Sequence, residues 1–408
     1  MSTRFAGIDG VSLETSKWAE VLEEMGHTCF YFAGLCDRPG ERSLVVPEAF
    51  FGHPKVRTRH DGFWGKTRGD PETNRWLHQT RDLLRRQLER FVGEFKIDML
   101  IVENVLAIPL NVPLGLALAE LISDTGIPTI GHHHDLPWER ERFEENAVSE
   151  HVSDAFPPDL PSVQHVVINS LARQELARRK EIEADLVPNV MNYKVSAPGP
   201  DEFSSDLRSA LGLGSDERLI LQPTRVIPRK GIEHAIELVS RLELSAGLVI
   251  SHPSGDEGDS YLGDLQALAE RIGLRLIFAA ALVAERRGRT REGRKIYSLW
   301  DVYTQADLVT YPSLIEGFGN AFLEAVWFRK PIIVNRYLAY EADIRPLGFD
   351  VIEFQGNLTD QTVAETRRVL EDGALVDEMV ERNYALARRH YSYDVLRTKL
   401  GSLVASFG

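Results

Sequence analysis

Short apolar runs alternate with amphipathic stretches along the whole chain, and this alternation constrains the fold more than any other feature. In the first half "HTCFYFAG", "DMLIVEN", "IPTIGHHH" and "HVVINS" read as strands, with "SKWAEVLEEMG" and "NRWLHQTRDLLRRQLERFVGEF" as helices. In the second half "RLILQPT", "AGLVIS", "LRLIFAA", "DLVTYPS" and "KPIIVN" read as strands, with helices such as "GIEHAIELVSRLE" between them. Strand and helix patterns in alternation are the mark of βαβ units and a parallel sheet. The pattern occurs twice, and 408 residues exceed what one hydrophobic core usually serves. Two doubly wound, Rossmann-like α/β domains facing a cleft are therefore expected. Pro188, Asn189, Pro198, Gly199 and Pro200 interrupt "VPNVMNYKVSAPGPDEF", which reads as the linker. This places the domains at 1–195 and 205–385. The last helical run, 386–408, has no strand after it and is expected to cross the hinge back to the first domain.

Charge and cysteine content narrow the function classes. The balance of 47 basic against 61 acidic side chains gives a net charge of −14, which disfavours nucleic acid as a partner. An anionic ligand must then be met by a local positive site. Cys29 and Cys36 lack the C-x-x-C spacing of a zinc or redox pair. No run of about 18 apolar residues is present, so a cytoplasmic protein without stable membrane insertion is expected.

In open α/β sheets, ligands bind beyond the carboxyl ends of the strands, where helix N-termini collect. After the strand "DLVTY" come Glu316, Gly317, Phe318, Gly319 and Asn320, then a helix from about Ala321 to Arg329. Glycines permit close backbone approach, and the first N–H groups of the helix favour an anion such as a phosphate. Glu324 lies one turn on, on the face of Asn320, and suits a pair of hydroxyls such as those of a ribose. Glu316 suits hydroxyls on the other side of the phosphate. Arg225 follows "LILQPT" and Lys230 precedes Gly231 at another helix start. Two cations there would stabilise a diphosphate leaving group as its charge develops, without Mg²⁺.

The stretch "YTQADLVTYPSLIEGFGNAFLEAVWFRKPIIV" resembles the donor segment of the retaining GT-B glycosyltransferases of family 4 (glycosyltransferase group 1), with its E-G-F-G and E-x7-E elements. "LILQPTRVIPRKGIEHAIELV" resembles the preceding strand, basic residue, Lys-Gly and helix of that family, and the likeness covers most of residues 215 to 345. The resemblance implies transfer of a sugar from a nucleotide diphosphate sugar to the hydroxyl of a small-molecule or glycan acceptor, with retained configuration and no metal. It implies that Glu316 holds donor hydroxyls and acts in catalysis, Glu324 the ribose, and Arg225 and Lys230 the diphosphate. The nucleobase is expected near Ala280 to Val283. Trp327, Phe328 and Arg329 depart from the small residues usual before the family's proline. The N-terminal domain would take the acceptor, and a homodimer stays open.

Three histidines close the strand "IPTIGHHHD". Strand side chains alternate, so His132 and His134 point the same way, and such a pair can ligate a metal. A metal-dependent hydrolase built on His132 and His134 is the rival reading, with a noncatalytic nucleotide-sugar binder as a third. The family resemblance instead makes His134, with Asp135, part of a wall facing the donor sugar, and leaves open whether His132, His133 or His134 does so. Near the N-terminus, Asp9 and Gly10 precede a helix that Thr15 or Ser16 would cap, and Asp9 would orient an acceptor hydroxyl. The basic stretch "ERRGRTREGRK", 285–295, reads as a mobile solvated connection.

Overall fold

The computed structural model describes residues 1–7, 9–253 and 260–408. The chain divides into two units, Met1–Asn189 with Tyr393–Gly408, and Val190–Ser392. Both are α/β units built on parallel strands. The division falls at Asn189/Val190 rather than at 195–205, because the stretch read as a linker packs on the second unit. There Met191 N–H donates to Tyr391 O at 2.8 Å and Trp327 Nε1–H to Val195 O at 2.9 Å. The final helical run is two helices, Gly373–His390 and Tyr393–Ala405. Tyr391 ends the first, packing against Phe318 and Phe349 of the second unit, and only the helix Tyr393–Ala405 belongs to the first.

In the first unit, β1 (Arg4–Phe5) pairs with β3 (Leu35–Cys36), and β2 (Tyr31–Ala33) with β4 (Ser43–Val45), all parallel. Strands β5 (Leu100–Glu103), β6 (Thr129–His133), β7 (Val163–Val167) and β8 (Ala184–Leu186) form a four-stranded parallel sheet in that order. Backbone bonds stitch these pieces through the first residues. Ser2 N–H donates to Phe32 O at 3.0 Å, and Glu103 N–H to Met1 O at 2.8 Å. The leading segment thus lies between β2 and β5, so the chain leaves it in one direction and returns on its other side. The ends of β1 and β5 flank a topological switch point, the crevice where open α/β sheets take ligands.

The second unit repeats this plan. Strands β9 (Arg218–Gln222), β10 (Ala246–Ile250) and β11 (Leu276–Phe278) run outward on one side, and β15 (Leu308–Tyr311), β16 (Ile332–Asn335) and β17 (Ile352–Phe354) on the other, in the order β11-β10-β9-β15-β16-β17. All five pairings are parallel. Strands β10, β15 and β16 are buried at every residue, which is why they appear in the sequence as continuous apolar runs rather than alternating ones. Isoleucines and leucines such as Ile220, Ile236, Leu248 and Ile333 fill one face of the sheet. Between β11 and β15 the strands β12 (Val283–Ala284), β13 (Gly288–Arg289) and β14 (Lys295–Ser298) make a small separate sheet. The switch point of this unit lies between β9 and β15.

Candidate active site

Both motifs singled out in the second half follow the two strands at that switch point. The loop after β9 carries Arg225 and Lys230, and the loop after β15 carries Glu316 to Asn320. Leu314 N–H donates to Arg229 O at 2.9 Å, docking the loops backbone to backbone. Gly231 has φ 58°, and a Cβ there would lie 2.6 Å from Pro312 O. Only glycine allows this approach without displacing the loop.

The Lys230 ammonium donates to the Glu316 carboxylate, and both side chains are nearly buried. Arg229 Nη1 stands 3.8 Å from the other carboxylate oxygen. Burial would raise Glu316, yet the charge and hydrogen bond of Lys230, with Arg229 behind, hold it below the ordinary carboxylate value. Lys230 is lowered, chiefly by burial and further by Arg229 and Arg225, with Glu316 opposing. Arg225 is exposed and close enough for its charge to act on Lys230. The expectation of cations on a diphosphate and Glu316 on a sugar thus separates groups that the fold joins in one ion pair. One more titratable group feels these charges. His252, after β10, is half-buried and lies within reach of the charges of Arg225 and Lys230.

The helix after the glycines runs Asn320–Trp327 and starts with no side-chain cap, Gly319 preceding it at φ 123°. A Cβ on Gly319 would meet Tyr337 Oη at 2.6 Å. Tyr337 is fixed there by donating its hydroxyl to Phe318 O at 2.6 Å. Gly317 lies in the bend before Phe318, whose ring is buried against Tyr391. An uncapped helix start behind a glycine suits an anion. One turn on, Glu324 accepts from the hydroxyl of buried Tyr303 at 2.9 Å. Phe328 stacks on Tyr303 with centroids 4.9 Å apart, and Trp327 meets Trp300 edge-on. Of the residues that depart from the family pattern, Phe328 therefore packs on the tyrosine that holds Glu324. Ala280 lies in the tight turn Ala279–Ala281 after β11, and Val283 opens β12.

In the first unit, histidines alternate across β6 as expected. His132 Nδ1 lies 2.9 Å and His134 Nε2 3.0 Å from one oxygen of Glu103, which sits opposite His132 in the register of β5 and β6. His133 points the other way, its Nε2 2.8 Å from His165 Nδ1. Glu103, His132 and His134 present ligand atoms within 4.8 Å of one another, a set with the chemistry to hold a divalent ion. The carboxylate of this set was invisible in the sequence, since only strand register brings residue 103 to residue 132. Burial would lower His134, but its hydrogen bond and attraction to Glu103 raise it. Burial lowers His132 despite Glu103. Asp135 is ion-paired to Arg140 at 3.1 Å, and Asn104 Oδ1 accepts from His134 N–H at 2.8 Å.

Asp9 itself takes the capping place that was expected of Thr15 or Ser16. It caps the helix Gly10–Glu24, accepting from Ser12 N–H at 3.2 Å and Ser12 Oγ at 2.6 Å, and pairs with Arg4 at 3.2 Å. The helix begins at Gly10, several residues earlier than Thr15 or Ser16. Those two lie inside it, donating to Val11 O and Ser12 O.

No family model matches the chain. Sucrose-phosphate synthase from Thermosynechococcus elongatus superposes with a TM-score of 0.67 at 14% identity, covering 98% of this chain and 96% of that one. Anabaena HepE, solved with UDP, superposes with a TM-score of 0.63 at 14% identity over 99% and 98%. Mannosylglucosylglycerate synthase of Thermotoga maritima is 32% identical over 95% of this chain and 95% of its own. The chain belongs to the GT-B group 1 glycosyltransferases, in one family with that enzyme. A second mannosylglucosylglycerate synthase, from Petrotoga mobilis, is 29% identical over 86% of this chain and 84% of its own.

Within this glycosyltransferase the basic stretch 285–295 is largely exposed, as expected of a solvated connection, but is tied down at two of its charges. Arg287 is paired with Asp201 and Asp301, and Lys295 with Asp206 at 2.8 Å. Arg287 and Lys295 also lie over the ring of Phe203, 5.0 and 5.1 Å from its centroid. Among the described residues of the glycosyltransferase no helix is long and apolar enough to cross a membrane.

Proposed function

We propose that this glycosyltransferase moves a mannosyl group from a nucleotide diphosphate sugar to a hydroxyl of glucosylglycerate, with retention of configuration and without a metal. The reading is carried by one observation: Arg225, Lys230 and Glu316 meet at the switch point of the second unit, beside an uncapped helix start. The sugar and acceptor come from the names of the two whole-length relatives.

In this mechanism the diphosphate lies against the Asn320 helix start, with Arg225 and Lys230 as counter-charges. Fixed cations stabilise the departing diphosphate most in the transition state, where its charge grows. The bond from the anomeric carbon to the phosphate oxygen breaks, and the acceptor oxygen bonds to the same carbon on the same face. The acceptor proton passes to the departing phosphate oxygen, so no side chain need serve as general base. Glu316 aims Lys230 and takes donor-sugar hydroxyls, Glu324 takes the ribose, and Ala280 to Val283 flank the base. We assign the acceptor to the first unit, where Gly10, His134 and Asp135 lie near the ends of β1 and β6.

The test is nucleoside diphosphate release from UDP-, GDP- and ADP-sugars, with and without glucosylglycerate, in the presence of EDTA, followed by NMR of the product's anomeric proton. Release dependent on glucosylglycerate and unaffected by EDTA is expected, with the donor's configuration in the product. Glu103, His132 and His134 favour one second reading, a metal-dependent reaction in the first unit. Activity abolished by EDTA and restored by Zn²⁺ or Mn²⁺ would establish that reading instead.

A further inference from the structure

His252 stands at the end of β10, the strand next to β9 on one side of the switch point. The turn that carries it is held against the Arg225 loop, because Val226 N–H donates to Pro253 O at 3.2 Å. Ser251 N–H donates to Gln222 O at 3.3 Å, fixing the residue before it. Ser251 Oγ lies 2.9 Å from His252 Nδ1. A hydroxyl can donate to a neutral ring nitrogen or accept from a protonated one, so this contact serves either state of the imidazole. With Ser251 donating, the ring proton sits on Nε2 and is available to an acceptor. The charged groups among the described residues that act on the ring are Arg225 and Lys230, and the latter is itself paired with Glu316.

We propose that His252 is a third side chain of the diphosphate site, and that it takes up a proton from solvent when the diphosphate binds and gives it back when the product leaves. The proposal rests on the reading of the second unit as the donor site. Burial, then Arg225 and Lys230, lower His252 to about 4, so the free enzyme carries it neutral at pH 7. A diphosphate brings negative charge to the cations that depress it. The same anion that neutralises Arg225 and Lys230 removes their effect on the imidazole and attracts the proton directly. Donor binding is then favoured by lower pH, and release of the nucleoside diphosphate by higher pH.

The experiment is isothermal titration of the full chain with GDP, UDP and ADP at pH 6, 7 and 8, in buffers of different ionisation enthalpy, so that bound protons are counted. The phosphate's own titration is common to all variants, so the difference from His252→Asn and His252→Gln is the measure. Wild type should take up more protons than either variant. Its affinity should also fall more steeply with pH, by up to about tenfold per pH unit, the limit for one linked proton. Equal proton counts in wild type and variants would overturn the proposal while leaving the donor site intact. Failure of folded wild type to bind any of the three nucleotides would overturn both. If neither variant folds, an NMR titration of the His252 ring in wild type gives the answer. Its midpoint must move up on adding GDP, UDP or ADP, and an unmoved midpoint in nucleotide-saturated protein refutes the role.

Discussion

Gly231 lies so close to the carbonyl of Pro312 that there is no room for a Cβ, and this approach joins the loop of Arg225 and Lys230 to the loop of Glu316. Gly231→Ala would place Cβ 2.6 Å from a backbone oxygen, at a φ of 58° that alanine disfavours. The strain expected is about 1–3 kcal/mol, relieved in part by moving the loops apart. Urea unfolding should show that loss, and nucleotide affinity should drop with it. Unchanged stability and affinity would mean that the loops are docked by other contacts.

Lys230 and Glu316 form a nearly buried pair, so the two single removals should cost more than the double one. Lys230→Met strands a carboxylate, and Glu316→Gln leaves an ammonium with a neutral partner. Breaking one side of such a pair typically costs about 3–5 kcal/mol, whereas replacing both is often near neutral. A double-mutant cycle in urea should therefore recover most of the stability in Lys230→Met/Glu316→Gln. Donor turnover should not recover, since the leaving group still lacks Lys230, one of its two counter-charges. Additive stability losses would argue that the two side chains are independently solvated.

Much of the second unit was legible because its signals are local. Continuous apolar runs mark β10, β15 and β16 as strands buried on both faces, and the glycine loop sits directly after one of them. What escaped the sequence depends on partners far along the chain. Glu103 joins His132 and His134 only through strand register. The pairings of Arg287 and Lys295 are hidden until Asp201, Asp206 and Asp301 are brought beside them. His252 looks isolated until the parallel order of β10 and β9 sets it by Arg225. The start of the Gly10–Glu24 helix was missed for a different reason: Thr15 and Ser16 are ordinary caps, and the choice of Asp9 depends on a single side chain accepting from Ser12.

Buried histidines give the fold an acid limit. His60 and His165 are lowered to about 4, chiefly by burial, and His133 is also lowered, by burial and by His165. Unfolded histidine titrates near 6.5, so below that pH the unfolded state binds more protons and stability falls. Each such group contributes up to about 1.4 kcal/mol per pH unit, so His60 and His165 alone give up to about 3. Glu103 lies below its ordinary value, so its contribution persists above the unfolded carboxylate range and is flat across this window. His134 is raised, so its contribution is complete below about 6.5 and is lost as pH climbs through its folded value. Melting temperature should rise from pH 5 to 6.5 and then level or decline. A profile flat from pH 5 to 6.5 would contradict the neutral burial of these rings.

Tyr303 offers the sharpest separation of structure from binding. Its ring is fixed by stacking on Phe328, and its hydroxyl donates to Glu324. Burial, then the Glu324 charge, pushes the phenol well above its usual value, so it remains a donor at every pH of interest. Tyr303→Phe keeps the stack and deletes only the hydroxyl. The net cost of one such bond to a charged acceptor is about 1.5–3 kcal/mol at most, lessened here because Glu324 is only half-buried. If Glu324 holds the ribose, loss of this hydrogen bond to its carboxylate should raise the donor KM several-fold while kcat changes little, because the ribose is bound alike in ground and transition states. Loss of kcat at constant KM would instead place Glu324 at the reacting bond, and move the sugar to the other side of the diphosphate.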